Sequence, residues 1–182
     1  FTTRRNGASL APYESVNLAQ HVGDSAETVA RNRELLSKIT GPIQFMNQVH
    51  GDEVVEVKSI GDDPTCDALI TRAPGIALAV MVADCIPLLL SASTVIGAVH
   101  VGRRGLMNSV AVKAVDAMRK LGADQIHAQL GPSICGRCYE VPQELADEVV
   151  AKHPAASSLT NNLTPALDLP RALIADLVAS GV

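Results

Sequence analysis

The chain has 182 residues, with 15 basic against 19 acidic side chains and a formal net charge of −4. That length suits one domain whose hydrophobic core stands without disulfide staples. No basic stripe marks a nucleic-acid binder, and aromatic residues at 2% supply no series on which bases would stack.

Apolar residues make up 47% of the chain and are mostly aliphatic. The longest apolar run, Ile76 to Ala83, is too short to span a bilayer. Four cysteines, at positions 66, 85, 135 and 138, are too sparse for a secreted disulfide scaffold. No signal peptide is visible, so the expected compartment is the cytoplasm. The first residue is Phe1 rather than Met, and a few residues are expected to precede it.

Residues 1–24 read as loops and extended segments punctuated by Gly7, Pro12 and Gly23. Ser25 and Glu27 open a helix over 26–38, which Gly41-Pro42 stops. Ile43 to His50 reads as a strand, and Glu53 to Val57 as a second, half-buried by its alternation. A turn at 61–64 leads to a short strand over 67–71. Ile76 to Ala83 is continuously apolar and predicts a strand buried on both faces. A short strand follows at 87–90 and another at 94–99, running into His100. Val112, Val115, Met118 and Leu121 predict a helix over 108–121 that Gly122 ends. A strand at 125–130 and helices at 142–152 and 170–179, each with proline in its first turn, complete the chain. Strands and helices mix without strict βαβ alternation, which predicts a mixed-sheet layered α/β fold in one domain, residues 1–182.

Three metal-ligand types stand where strands end: His50, Cys85 and His100. Zinc favours this donor set. Two neutral imidazoles and a thiolate leave the ion with net positive charge and a fourth tetrahedral position, the pattern of catalytic rather than structural zinc. Singly, each has a plainer reading: a hydrogen-bonded histidine or a buried inert thiol. Their neighbourhoods are rich in glycine and polar residues, which a plain core strand would not need.

Blocks around these residues carry a family resemblance. They are Phe1-Thr2-Thr3-Arg4, Asn17-Leu18, His21-Val22-Gly23-Asp24, Asn32-Arg33, Gln48-Val49-His50-Gly51, Cys66-Asp67-Ala68-Leu69, Ala83-Asp84-Cys85-Ile86-Pro87-Leu88, His100-Val101-Gly102-Arg103-Arg104-Gly105, and Gly131-Pro132 through Tyr139-Glu140-Val141. In this order the chain resembles the YfiH/laccase-domain family, also called the multicopper polyphenol oxidase or purine nucleoside phosphorylase family. The resemblance implies a layered α/β/β/α fold similar to toxin deamidases, and a cytoplasmic zinc enzyme with ligands at His50, Cys85 and His100. It also implies phosphorolysis of adenosine, inosine and methylthioadenosine, adenosine deamination, and Asn17, His21 and Gln48 along the pocket. Two departures stand out. Arg103 occupies a position where the family usually has an aromatic residue. Family chains also continue into a C-terminal segment, so this sequence is expected to lack that segment.

Within this reading Arg104 is the candidate for binding phosphate and Asp84 the candidate for moving protons. The partners expected are small purine nucleosides and phosphate, with no nucleic acid or membrane; oligomeric state is not legible. Cys135-Gly136-Arg137-Cys138 supplies half a structural zinc site and has no second pair. It reads as oxidisable loop chemistry. Cys66 and His127 read as structural, and His153 as an exposed helix end. Three rivals stay open. A copper-dependent polyphenol oxidase would use the same His/Cys set but needs further histidines. A hydrolase of amides or peptidoglycan precursors would use Cys85 as nucleophile and a histidine as base. A third possibility is a metal that only holds strands together.

Overall fold

A computed structural model describes residues 1–182. Helix α1, Ala26–Thr40, begins where the Ser25 side chain accepts from the Thr28 N–H, and ends at Gly41, whose φ of 81° lies in the left-handed region. Its buried side is polar at one point. Asn32 has no exposed surface and bonds Ala8 N–H, Ser9 Oγ and the carbonyls of Ser15 and Asn17. The N-terminal loops are thereby tied to α1. Arg33 lies 3.9 Å over the Phe45 ring and pairs with Asp63 at 2.8 Å.

The central sheet has five strands in the order β2-β3-β6-β5-β7. These are β2 (Val54–Glu56), β3 (Ala68–Thr71), β5 (Ile86–Ser91), β6 (Ile96–Val101) and β7 (His127–Leu130). Only β2 and β3 run parallel; the other neighbours are antiparallel. Alternation along β3 divides the sheet into two faces. Ala68 and Ile70 join the main core with Leu88, Leu90 and Val99, against helices α3 (Val110–Lys120), α4 (Gln143–Lys152) and α5 (Leu169–Ala179). Leu69 points the other way and joins Met46, Val57 and Cys66. The small parallel pair of β1 (Ile43–Gln44) and β4 (Ala77–Leu78) lies on that side, with Leu78 packed against this cluster, and Arg33 of α1 reaches the Phe45 ring just after β1. The result is the mixed, layered α/β arrangement expected.

Several elements differ from expectation for identifiable reasons. The strand expected over 43–50 is regular only to Gln44; the chain then changes partner, with Asn47 making a lone parallel bridge to Thr65, and extended geometry ends at His50, whose φ is 58°. The strand expected to be buried over 76–83 is ordered only at Ala77–Leu78, is half-buried, and becomes exposed from Val82 onward. There the Gln48 side chain replaces a strand partner: its Nε2 donates to the Met81 carbonyl at 2.7 Å and its Oε1 accepts from the Met81 N–H at 2.8 Å. The helix expected over 108–121 is α3, and a further short helix, α2 (Arg103–Met107), precedes it where none was expected; Ser109, at a φ of 60°, separates the two. A hairpin of β8 (Ser157–Leu159) and β9 (Pro165–Leu167) fills a stretch where no element was legible. His153 is buried rather than exposed, because its Nδ1 faces the Asp176 carboxylate at 3.2 Å beneath α5.

Asn32→Ala should lower unfolding free energy by about 3 kcal/mol, since several buried partners lose their bonds at once. Urea unfolding measures this, and an unchanged midpoint would refute the role given to Asn32.

Candidate metal centre

Three segments meet at one end of the central sheet. His50 sits in the loop after β1, Cys85 immediately precedes β5, and His100 lies inside β6. In the strand register Pro87 pairs with His100 and Ile86 with Val101, so the start of β5 and the end of β6 lie side by side. Cys85 therefore leads into a core strand rather than following one, and His100 is an inward-facing strand residue rather than one beyond the strand end.

The ligand atoms of His50, Cys85 and His100 all lie within 4.8 Å of one another. Cys85 Sγ is 3.8 Å from His50 Nε2. The two imidazoles meet edge to face with centroids 4.6 Å apart. A tetrahedral ion with bonds of ~2.0–2.3 Å holds its ligands about 3.3–3.8 Å apart, so small side-chain movements complete the site. Gly102 keeps the space clear. A Cβ there would lie 2.9 Å from Cys85 Sγ and 3.0 Å from the His50 ring. The donor set and the backbone beside it thus fit a single ion, and these three residues are the only group of three possible ligands in the chain.

Asp67, one residue before β3, was not assigned a role from sequence. Its carboxylate has no exposed surface. Oδ1 receives the His50 N–H at 2.9 Å and lies 2.7 Å from His100 Nδ1. Oδ2 receives the N–H groups of Gly51 at 2.7 Å and Val49 at 3.2 Å. The bond to Nδ1 leaves Nε2 of His100 as its metal-facing nitrogen. Burial alone would push the Asp67 carboxyl up, but the bonds from His100, Gly51 and Val49 outweigh it and hold the group below its ordinary range. Burial, partly opposed by Asp67, pushes the His100 imidazole below its ordinary value and favours the neutral ligand form. Burial, with the nearby charges of Asp84 and Asp67, pushes the Cys85 thiol up; a cation bound among the three side chains acts in the opposite sense. One signal could have revealed Asp67: a carboxylate enclosed in the apolar stretch from Cys66 to Ile70.

The remaining candidates divide into two groups. Asp84 is exposed beside Cys85, and its carbonyl accepts from the Ile134 N–H at 2.9 Å. Arg104 is exposed on α2, two residues after Gly102, and its guanidinium makes no hydrogen bond or ion pair within the chain. Asn17 and Gln48 are occupied by the fold. Asn17 bonds Asp24 and the Ala19 backbone, and both ends of the Gln48 amide close on Met81. His21 is exposed in the N-terminal loops. Cys66 is fully buried and its thiol is pushed up to about 11 by that burial, in keeping with a structural role. His127 is exposed on β7.

The chain belongs to the multi-copper polyphenol oxidoreductase laccase family, which it matches over residues 1–182. It is 47% identical over 193 residues to a purine nucleoside phosphorylase of Streptomyces coelicolor, a match covering 100% of this chain and 80% of that protein. It is 41% identical over 194 residues to a purine nucleoside phosphorylase of Corynebacterium glutamicum, covering 100% of this chain and 79% of that one. Among solved structures it is similar to Neisseria meningitidis protein NMB0706, with a TM-score of 0.91 and 34% identity over 100% of this chain and 77% of that one. YlmD from Geobacillus stearothermophilus gives a TM-score of 0.88 and 31% identity over 100% of this chain and 76% of that one. The fold is that of the YfiH proteins. No helix is long and apolar enough to cross a membrane.

Two substitutions test how the centre is built. Asp67→Asn replaces an acceptor-only group with one that must aim an N–H at donors. Zinc affinity, read by competition with a chromophoric chelator, should fall about 10–100-fold. Gly102→Ala should weaken binding too, because the new methyl displaces Cys85 or His50. Unchanged affinity in both variants would show that neither residue shapes the site.

Proposed function

We propose that this protein is a zinc-dependent purine nucleoside phosphorylase, with residues 1–182 acting as one catalytic domain. The observation that carries the proposal is the three-residue cluster of possible ligands; Arg104, two residues after the Gly102 that packs on Cys85 and His50, makes no side-chain bond within the chain. The names of the Streptomyces and Corynebacterium relatives supply the substrate class.

His50, Cys85 and His100 would hold the ion, which when bound supplies a Lewis-acid centre. Arg104 presents a planar fork of donors to a phosphate. Val49 and Val82, both exposed, stand on the loops that carry His50 and Cys85 and offer apolar surface to a purine face. In phosphorolysis a phosphate oxygen bonds to the ribose anomeric carbon as the glycosidic bond breaks. The departing purine takes up a proton, and Asp84, next to a ligand, is the carboxylate suited to relay it. Phosphate and purine nucleosides are therefore the partners, with adenosine, inosine and methylthioadenosine as the substrates to test. The same Asp84 would serve adenosine deamination, in which water instead adds at the amino-bearing carbon of the purine ring and ammonia leaves, the glycosidic bond staying intact.

Zinc is preferred to copper on histidine supply. A multicopper oxidase needs a second, histidine-rich cluster, whereas His127 is exposed alone on β7 and His153 is buried against Asp176. The 3.8 Å approach of Cys85 Sγ to His50 Nε2 also suits a Cys/His hydrolase acting on amides or peptidoglycan precursors. Alkylation of Cys85 distinguishes that reading: zinc protects the thiol, whereas a nucleophile reacts whether or not chelator is present.

The decisive assay follows adenosine, inosine and methylthioadenosine by chromatography with and without phosphate, alongside metal analysis. Free base released only with phosphate is expected. Conversion of adenosine to inosine without phosphate would make the enzyme a deaminase instead. Cys85→Ala should remove zinc and turnover together, and zinc retained at full stoichiometry would overturn the ligand set.

A further inference from the structure

After β7, residues 131–139 form a turn fastened on two sides. The Gly131 N–H donates to the Pro87 carbonyl and the Ile134 N–H to the Asp84 carbonyl, both at 2.9 Å. On the other side Gly136 packs so closely on Asp168, the cap of α5, that a Cβ would lie 2.6 Å from the Asp168 Cβ. The Leu167 N–H donates to the Tyr139 carbonyl at 3.1 Å. Within the turn the Cys135 carbonyl accepts from the N–H groups of Cys138 at 2.9 Å and Tyr139 at 3.1 Å. The backbone is held from inside while both thiols face outward and are exposed.

This arrangement brings the sulfurs of Cys135 and Cys138 to 3.0 Å. A disulfide needs ~2.05 Å, so about one ångström of side-chain rotation closes the bond without moving the anchored backbone. No other thiol competes for either sulfur: Cys66 is buried, and Cys85 belongs to the metal cluster. Nor does the pair carry further ligands that would make it a metal site.

We propose that Cys135 and Cys138 form a thiol–disulfide couple that exchanges with low-molecular-weight disulfides. The Cys135 thiolate attacks one sulfur of the small disulfide and expels one small thiol, leaving a mixed disulfide on Cys135. The Cys138 thiolate then attacks the Cys135 sulfur and expels the second small thiol. Two electrons pass to the oxidant and the two cysteine protons end on the released thiols. The order follows the turn. Cys138 S–H and the N–H groups of Arg137 and Cys138 face the Cys135 sulfur and hold its thiol below the ordinary value. Hydrogen bonding to Cys135 and the repulsion of its charge push the Cys138 thiol up.

The test equilibrates the zinc-loaded full chain with buffers of reduced and oxidised glutathione across a wide range of ratios. Free thiols are then alkylated, and peptide mapping locates the label. Expected is an intramolecular Cys135–Cys138 disulfide that rises with the oxidised fraction and is reversed by dithiothreitol. Cys138→Ser should stop at a glutathione adduct on Cys135. Cys135→Ser should react several-fold more slowly at Cys138. The proposal is overturned if both thiols alkylate at every ratio, if the unsubstituted chain accumulates the glutathione adduct, or if the bond forms between two chains.

Discussion

A single carboxylate with no exposed surface stands between two parts of the chain that meet only in the folded molecule. Asp67 receives three backbone N–H groups from residues 49–51 and touches the imidazole of His100. A buried charge is tolerated only when every lone pair is used, and losing a partner of such a group costs ~3–5 kcal/mol. That penalty ties the His50 loop to the central sheet. It also accounts for the positive φ at His50, a conformation that the loop's own residues would not favour. The same carboxylate sets the orientation of the second histidine. Fold and candidate site therefore share one constraint, and neither His50 nor His100 is placed independently of it.

The surroundings complete what Asp67 begins. The start of β5 lies beside the end of β6, which puts Cys85 next to His100. Gly102, at the exit of β6, leaves room for the sulfur and the imidazole to approach. The chain then enters α2 at once, so Arg103 and Arg104 follow the metal centre directly. The positive guanidinium groups and the acidic Asp84 thus occupy neighbouring segments at one end of the sheet.

Much of this was legible in the residues, and the failures have physical causes. Periodicity located α1, α3, α4 and α5 because each buries one apolar face and carries a recognisable start or stop. It misread 76–83, where apolar residues imply a core strand, because pairing there depends on the side chain of Gln48, some thirty positions away in sequence. It missed α2, too short to show a period, and the β8–β9 hairpin, whose strands are only three residues each. The three side chains that the structure gathers were visible as candidate ligands by donor type and family resemblance. Asp67 was given no role: its place in an apolar stretch signals burial, but its four partners lie far from it in sequence. Asn17 and Gln48, expected along the pocket, have side-chain amides that bond within the chain.

The central claim is that two imidazoles and one thiolate, held by Asp67, bind one zinc ion and leave a fourth position to a small molecule. X-ray absorption at the zinc edge of the loaded protein tests it most directly. The account predicts one sulfur neighbour at ~2.3 Å and three nitrogen or oxygen neighbours at ~2.0–2.1 Å, with two of the light neighbours showing imidazole scattering. A shell with no sulfur, or with two or more, would contradict it.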